Sequence, residues 1–290
     1  GITDKPFRAV CRQFGAGLTT CEMLSSDPSL RHTRKSLRRA DWRDEAAPIS
    51  VQIAGSDPAQ MAAAAQYNVE QGADIIDINM GCPVKKVCHV LAGSALLRDE
   101  ALVADILQAV TAAVSVPVTL KTRLGWDEDS LNIGRIARLA EEAGIAALAV
   151  HGRTRNKMYR GQARYELIGA VKQQTSLPLW VNGDLDSPAK ALAVRAQTGA
   201  DGVMIGRAAQ GVPWIFRDLL HLWRSGSLPE PLSVTETIAV ILQHIQAMYD
   251  FYGDQAGVRI ARKHIAWYTE CLPEAASFRQ AINRVADVAE

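Results

Sequence analysis

Three segments of the chain repeat one pattern, and that repetition restricts the fold more than any other feature. Glu70-Gln71-Gly72-Ala73-Asp74-Ile75-Ile76-Asp77-Ile78, Glu141-Glu142-Ala143-Gly144-Ile145-Ala146-Ala147-Leu148-Ala149-Val150 and Gln197-Thr198-Gly199-Ala200-Asp201-Gly202-Val203-Met204-Ile205 each leave a helix-like stretch through a glycine and enter a short apolar run. Glycine suits the left-handed residue that closes a helix, and an apolar run suits a parallel strand covered by helices. Val116-Pro117-Val118-Thr119-Leu120-Lys121 and Leu177-Pro178-Leu179-Trp180-Val181-Asn182 lie between these, with proline at the strand mouth and a polar residue at its exit. Proline is tolerated where the ladder has barely begun.

With Leu18-Thr19-Thr20-Cys21-Glu22 and Ile49-Ser50-Val51-Gln52-Ile53 included, seven strands begin near residues 18, 49, 74, 117, 146, 178 and 202. They are about 31 residues apart, the size of a strand, loop and helix unit. Residues 59–71, 101–113, 133–142 and 188–198 carry apolar side chains at helical spacing, and Asp57-Pro58 and Ser187-Pro188 supply a cap followed by a first-turn proline. The spacing predicts a (β/α)8 TIM barrel with seven strands visible. A helix expected over 6–13 should follow a strand, so the eighth, first in order, is expected upstream of Gly1. An open doubly wound sheet is the alternative, but no Gly-x-Gly-x-x-Gly fingerprint accompanies it.

After Leu232 the pattern becomes helix only, over 234–251 and 258–271, and Pro229-Glu230-Pro231 marks the change. We therefore expect a catalytic barrel over residues 1–228 and a small all-helical domain over 229–290. The chain opens without Met and stops inside a helical pattern at Ala289-Glu290, which reads as two cut ends.

No apolar run approaches the roughly 20 residues that span a bilayer, and no secretory pattern is present. Five scattered cysteines, Cys11, Cys21, Cys82, Cys88 and Cys271, read as reduced thiols of a cytoplasmic protein rather than a disulfide framework. No membrane, metal or protein partner is expected. Net charge is only +1, yet Arg31, Arg34, Lys35, Arg38, Arg39 and Arg43 face the single acid Asp41, and Arg153, Arg155, Lys157, Arg160 and Arg164 form a second basic cluster. Either is a solvated loop or a phosphate-binding rim.

In such a barrel the C-terminal strand ends share one rim. Gln52, Asn79, Cys82, Lys121, Arg123, His151, Arg153, Asn182, Asp184 and Gly206-Arg207 all fall there. Gly183-Asp184 and Gly206-Arg207 follow the last two strands, where a phosphate is commonly cradled, although glycine can also simply turn the chain. Lys121 can stabilise negative charge on a ring or carbonyl, or form a structural ion pair. His151 reads as a site residue or a satisfied core histidine. Together with the phosphate cup these suggest bound FMN. Cys82, beyond a strand end in Asn79-Met80-Gly81-Cys82-Pro83, is better placed for chemistry than for packing. Cys11, Cys21 and Cys271 are expected in packed apolar surroundings, and Cys88 completes no metal-ligand set.

These segments resemble the bacterial tRNA-dihydrouridine synthases of the B branch. The resemblance is carried by Gly1-Ile2-Thr3-Asp4, Val51-Gln52-Ile53-Ala54-Gly55, Asp77-Ile78-Asn79-Met80-Gly81-Cys82-Pro83, Leu91-Ala92-Gly93-Ser94-Ala95-Leu96-Leu97, His151-Gly152-Arg153-Thr154-Arg155, Asn182-Gly183-Asp184, Met204-Ile205-Gly206-Arg207 with Ala208-Ala209-Gln210-Gly211, Arg259-Ile260-Ala261-Arg262-Lys263-His264 and Trp267-Tyr268. It implies an FMN barrel, a helical domain that holds tRNA, and NADPH as the reductant. It implies catalysis by Cys82, flavin contacts from Gln52, Lys121 and His151, and contacts to the phosphoribityl end from Asn182, Gly183, Asp184, Gly206 and Arg207. Asn79 would lie near flavin and target uridine, with Arg153, Arg155, Arg262 and Lys263 as RNA contacts. The reaction would reduce the C5=C6 bond of a D-loop uridine, Cys82 giving a proton to C5 from the face opposite the flavin. Without the family's first strand, weak FMN binding or misfolding is expected. An FMN enzyme acting on dihydroorotate or an enone, and a noncatalytic tRNA-binding regulator, are the alternatives.

Overall fold

The computed structural model describes residues 2–84, 88 and 91–288. Gly1 of the family-like opening and the terminal Ala289-Glu290 lie outside the described residues. Seven parallel strands form one sheet in chain order: β1 (Leu24–Ser25), β2 (Ser50–Ala54), β3 (Ile75–Met80), β4 (Val118–Arg123), β5 (Ala147–His151), β6 (Leu179–Asn182) and β7 (Gly202–Met204). Helices α1 (Lys5–Gln13), α2 (Arg34–Arg39), α3 (Pro58–Glu70), α4 (Glu100–Ala113), α5 (Ile133–Glu142), α6 (Tyr165–Lys172), α7 (Pro188–Thr198) and α8 (Ile215–Ser225) accompany them. The helical tail contains α9 (Val234–Tyr252), α10 (Asp254–Tyr268) and α11 (Ala275–Ile282).

Local chemistry accounts for the boundaries. Asp57 accepts a hydrogen bond from the Gln60 backbone and Ser187 from that of Lys190, each ahead of a first-turn proline, and Gly199 closes α7 at φ 66°. Side chains alternate along each strand. Val51, Ile53, Ile76, Ile78, Leu120, Leu148, Val150, Leu179 and Val181 are fully buried on one side, beneath the helices. Gln52, Asp77, Asn79, Thr119, Lys121, Arg123, His151 and Asn182 alternate with them, so apolar packing and polar functions occupy opposite sides of the same strands.

The first strand differs from its expected position at 18–22. Thr20 bridges Ser50, but the regular ladder begins at Leu24 opposite Ile53, so this segment spends one more residue than β2 over the same distance. The extra residue interrupts the ladder as a bulge does. At the gap the Gln52 N–H donates to Cys21 Sγ at 3.3 Å. Among the described residues β1 pairs only with β2 and β7 only with β6, leaving a sheet open where an eighth strand would close a TIM barrel.

The tail packs against α1 and the segment after β7. Phe7, Val10 and Cys11 share a core with Ala209, Ile215 and Val240, while Tyr252 Oη donates to Asp4 Oδ2 at 2.7 Å. Gly211, at φ 76°, lies where a Cβ would meet the Trp267 carbonyl carbon at 2.5 Å, so only glycine lets α10 approach this turn. Among the described residues no helix is long and apolar enough to cross a membrane.

Candidate active site

Strand register brings the expected polar residues into rows. Gln52 is opposite Asp77, Asn79 opposite Lys121, Arg123 opposite His151, and His151 opposite Asn182. Asp77 is the member that motif reading passed over as a site residue. The visible signal was a carboxylate inside the apolar run Ile75-Ile76-Asp77-Ile78. Its Oδ2 accepts from Gln52 Nε2 at 2.7 Å and its Oδ1 from Thr119 Oγ1 at 2.5 Å. Gln52 Oε1 then accepts from Asn79 Nδ2 at 2.8 Å. Asn79 Oδ1 accepts from the backbone N–H groups of Gly81 at 3.2 Å and Cys82 at 2.9 Å.

The Cys82 carbonyl is held as well, accepting from Ser94 Oγ at 2.9 Å and Ser94 N at 3.1 Å, and Arg123 Nε donates to the Gly81 carbonyl at 2.7 Å. The Gly81-Cys82 turn is thus gripped through its backbone, with Cys82 itself half-buried. Cys11 and Cys21 are buried, and burial pushes their thiols up to about 12 and about 11. Cys271 corrects an expectation of apolar packing: it is exposed, in the turn after α10.

The electrostatics are unusual for strand residues. Burial, followed by the charge of Arg123, pulls the half-buried Lys121 down to about 7, with Asp77 opposing the fall. Burial pushes Asp77 up to about 6 despite hydrogen bonds from Gln52 and Thr119 and the nearby Lys121 charge. No hydrogen-bond or ion-pair partner for Lys121 Nζ occurs among the described residues. Burial, with Lys121, Arg123, Arg153 and Arg207 adding to it, depresses His151 far below an ordinary imidazole. His151 is therefore neutral, and its Nε2 lies 3.4 Å from Arg153 Nη1. A guanidinium only donates, so Nε2 accepts and Nδ1 carries the proton.

The last two strand ends are organised by Asp184. Arg153 donates to it through Nη1 at 2.8 Å and Nη2 at 2.5 Å, Ala163 N donates at 3.1 Å, and Arg207 Nη2 lies at 3.3 Å. Burial alone would raise the Asp184 carboxyl, but these donors outweigh it and hold it below the usual carboxylate range. Asn182 Nδ2 donates to the Met204 carbonyl at 2.7 Å, tying β6 to β7. Gly183 is buried at φ 119°, and a Cβ there would meet His151 Cδ2 at 2.7 Å. Gly206 is exposed and opens the short turn Arg207–Ala209, with only Asn182 Nδ2 at 4.0 Å from a Cβ position.

Arg153, expected as an RNA contact, is instead 3% exposed, with its remaining donors spent on the Arg160 and Gly161 carbonyls. Arg155 stacks on Trp126 at 4.4 Å. Arg164 pairs with Glu128 and Glu166. Lys157 and Arg160 are exposed and line a cleft of about 500 Å³ along the loop after β5. Tyr159, which no sequence signal singled out, sits on this loop with Arg207 4.4 Å and Arg123 5.7 Å from its ring centre. The other two expected RNA contacts, Arg262 and Lys263, belong to the helical tail. They lie on α10, Arg262 donating to the Val285 carbonyl and Lys263 exposed 5.4 Å from the Trp267 ring centre.

Much of the Arg31–Arg43 cluster is structural. Arg31 stacks on Tyr67 at 4.0 Å, Arg38 donates to the Tyr252 carbonyl at 3.3 Å, and Arg39 pairs with Glu22 at 3.3 Å. Among the described residues no group of His, Cys, Asp and Glu has the arrangement to hold a metal. The remaining donors at the rim, a cationic or neutral Lys121, amide N–H groups and the exposed Arg207 beside Gly206, suit a ring bearing carbonyl acceptors with an anionic tail.

A family model described as dihydrouridine synthase (Dus) matches residues 1–290. A protein of Pseudomonas aeruginosa named tRNA-dihydrouridine synthase B is 57% identical over 287 residues, covering 99% of this chain and 86% of that protein. Its namesake in Xanthomonas axonopodis pv. citri is 56% identical over 98% of this chain and 86% of its own length. That of Proteus vulgaris is 53% identical over 100% and 90%. A solved histamine dehydrogenase from Rhizobium shares the fold alone, with TM-score 0.53 and 13% identity over 84% of this chain and 47% of that one. Matched along its whole length, and sharing more than half its residues with these relatives, the chain belongs to the dihydrouridine synthase family.

Proposed function

We propose that the protein reduces the C5=C6 bond of a D-loop uridine in tRNA to 5,6-dihydrouridine, with a catalytic unit over 1–228 and a tRNA-holding helical unit over 229–290. The observation that carries this reading is the half-buried Cys82, in a turn fixed by backbone hydrogen bonds at the rim shared with Asn79 and Lys121. The names of the relatives supply the substrate class.

Gln52, Lys121 and His151 would hold the ring of FMN, and Asn182, Gly183, Asp184, Gly206 and Arg207 its phosphoribityl end. When bound and reduced by NADPH, FMN supplies the reducing equivalents for the double bond. Cys82 Sγ supplies the proton that C5 needs as charge builds on the uracil. Lys121, held near 7, can donate to a carbonyl oxygen that gains negative charge. Neutral His151, with its proton on Nδ1, adds a second hydrogen-bonding group without adding charge. The target base must leave its stack to reach these groups. Exposed Lys157, Arg160 and Lys263 are suited to RNA phosphates, whereas Arg153 positions Asp184.

The test is anaerobic incubation with FMN, NADPH and unmodified tRNA, followed by nucleoside mapping. Dihydrouridine in the D-loop is the expected product. Turnover of free uracil or orotate with tRNA left unchanged would overturn the proposal.

A further inference from the structure

We propose that Asp77 is a positioning residue whose two acceptor oxygens set the direction of a hydrogen-bond relay running through Gln52 and Asn79 to the backbone of Cys82. The relay has two ends of opposite character. Asp77 accepts from both Thr119 and Gln52, and the other end is the pair of N–H groups of Gly81 and Cys82, which can only donate. Between them stand two primary amides, each able to turn over and exchange its oxygen for its nitrogen.

Only one arrangement satisfies both ends. Asp77 requires the Gln52 nitrogen on its side, which leaves Gln52 Oε1 for Asn79 at 2.8 Å. Asn79 must then give its nitrogen to Gln52 and its oxygen to the Gly81 and Cys82 N–H groups at 3.2 and 2.9 Å. Turning either amide would place donor against donor or oxygen against oxygen, leaving polar groups unmatched where water does not compensate them. Asn79 Oδ1 already accepts twice, so Asn79 has one N–H left and offers a ligand a donor only. This deepens the reading above by assigning ligand polarity at Asn79: the group placed there must be an acceptor, such as a carbonyl oxygen.

The test reverses the relay in the flavin-free protein. Asn79→Asp places acceptors at both ends of Gln52, which can satisfy only one. The ionisable groups facing Asp77 are Cys21 from the β1 side and Lys121 from β4. We expect Asn79→Asp to lower the thermal midpoint by about 5 °C or more at pH 8. The loss should shrink toward pH 5.5, as the two carboxylates share a proton. Adding Asp77→Asn to Asn79→Asp gives the new amide at 77 a nitrogen for Gln52 Oε1 and the new carboxylate at 79 two acceptors for Gln52 and the turn. That double variant should recover more than half of the loss and be flat over the same pH range.

A double variant no more stable than the sum of its single changes would overturn the relay, as would an Asn79→Asp protein with an unaltered pH profile. Should Asn79→Asp fail to fold, NMR of the unsubstituted protein decides: one side-chain N–H each of Gln52 and Asn79 should exchange at least tenfold more slowly than an exposed glutamine. Equal rates would refute the assignment. The double variant keeps the fold but has no donor at 79, so dihydrouridine formation should be lost in it. If the parent made no dihydrouridine the functional reading would fail while the stability cycle still judged the relay.

Discussion

Arg153 and Asp184 face each other as a two-pronged ion pair, with Nη1 at 2.8 Å and Nη2 at 2.5 Å from the two carboxylate oxygens. The arginine is 3% exposed, and the pair joins the loop after β5 to the turn after β6. Removing Asp184 would strand the buried guanidinium, whereas removing Arg153 leaves a half-buried carboxylate still bonded by Arg207 and the Ala163 N–H.

Arg153→Ala removes a packed, hydrogen-bonded side chain but leaves Asp184 its Arg207 and Ala163 donors, and should destabilise the protein by about 1–3 kcal/mol, measured by urea unfolding. It should leave the salt dependence of tRNA affinity unchanged. Lys157→Ala should do the opposite, leaving stability within about 0.5 kcal/mol while reducing the slope of log affinity against log salt by about 1. Equal effects of both changes on the slope would return Arg153 to the RNA surface.

Cys82→Ala removes the thiol of a half-buried residue while leaving the backbone groups that hold its turn in place. Dihydrouridine formation should fall about 10²–10⁴-fold, with flavin absorbance after purification and tRNA affinity retained. Near-parental turnover in single-turnover assays would rule out Cys82 as proton donor.

Lys121 carries a pH signature. Its folded-state value near 7 lies below the ordinary lysine value of 10.5, so between those limits the folded protein binds fewer protons than the unfolded chain. Its contribution to stability is present above 10.5 and is lost as pH falls toward 7. Lys121→Met should raise the thermal midpoint of the flavin-free protein by a few degrees near pH 6.5, and the gain should shrink as pH approaches 10. A pH-independent difference would contradict a suppressed lysine.

Gly211→Ala tests how the tail is seated. The residue is left-handed at φ 76°, and a Cβ would lie 2.5 Å from the Trp267 carbonyl carbon and oxygen. The backbone conformation alone costs about 1–2 kcal/mol in an L-residue, and the clash adds to it. We expect a lower thermal midpoint and faster proteolysis within residues 253–288. An unchanged digestion pattern would show that α10 can shift without loss.

The chain's own pattern determined the strand count, most helix boundaries and the set of rim residues, because each rests on local chemistry, although the helix expected over 258–271 runs Asp254–Tyr268. Gly72, Gly144 and Gly199 sit before strands since helix closure favours left-handed residues, and Asp57 and Ser187 cap because their oxygens reach N–H groups three residues away. Tertiary structure decided what depends on register and approach. The first ladder moved to Leu24 because one residue is absorbed between Thr20 and Leu24, which no local preference announces. Arg153 became a buried partner because Asp184, 31 positions away, arrives on the neighbouring strand's loop. Asp77 acquired its role for the same reason: strand pairing places it beside Gln52 and Thr119, and the direction of a hydrogen bond exists only once both groups have met.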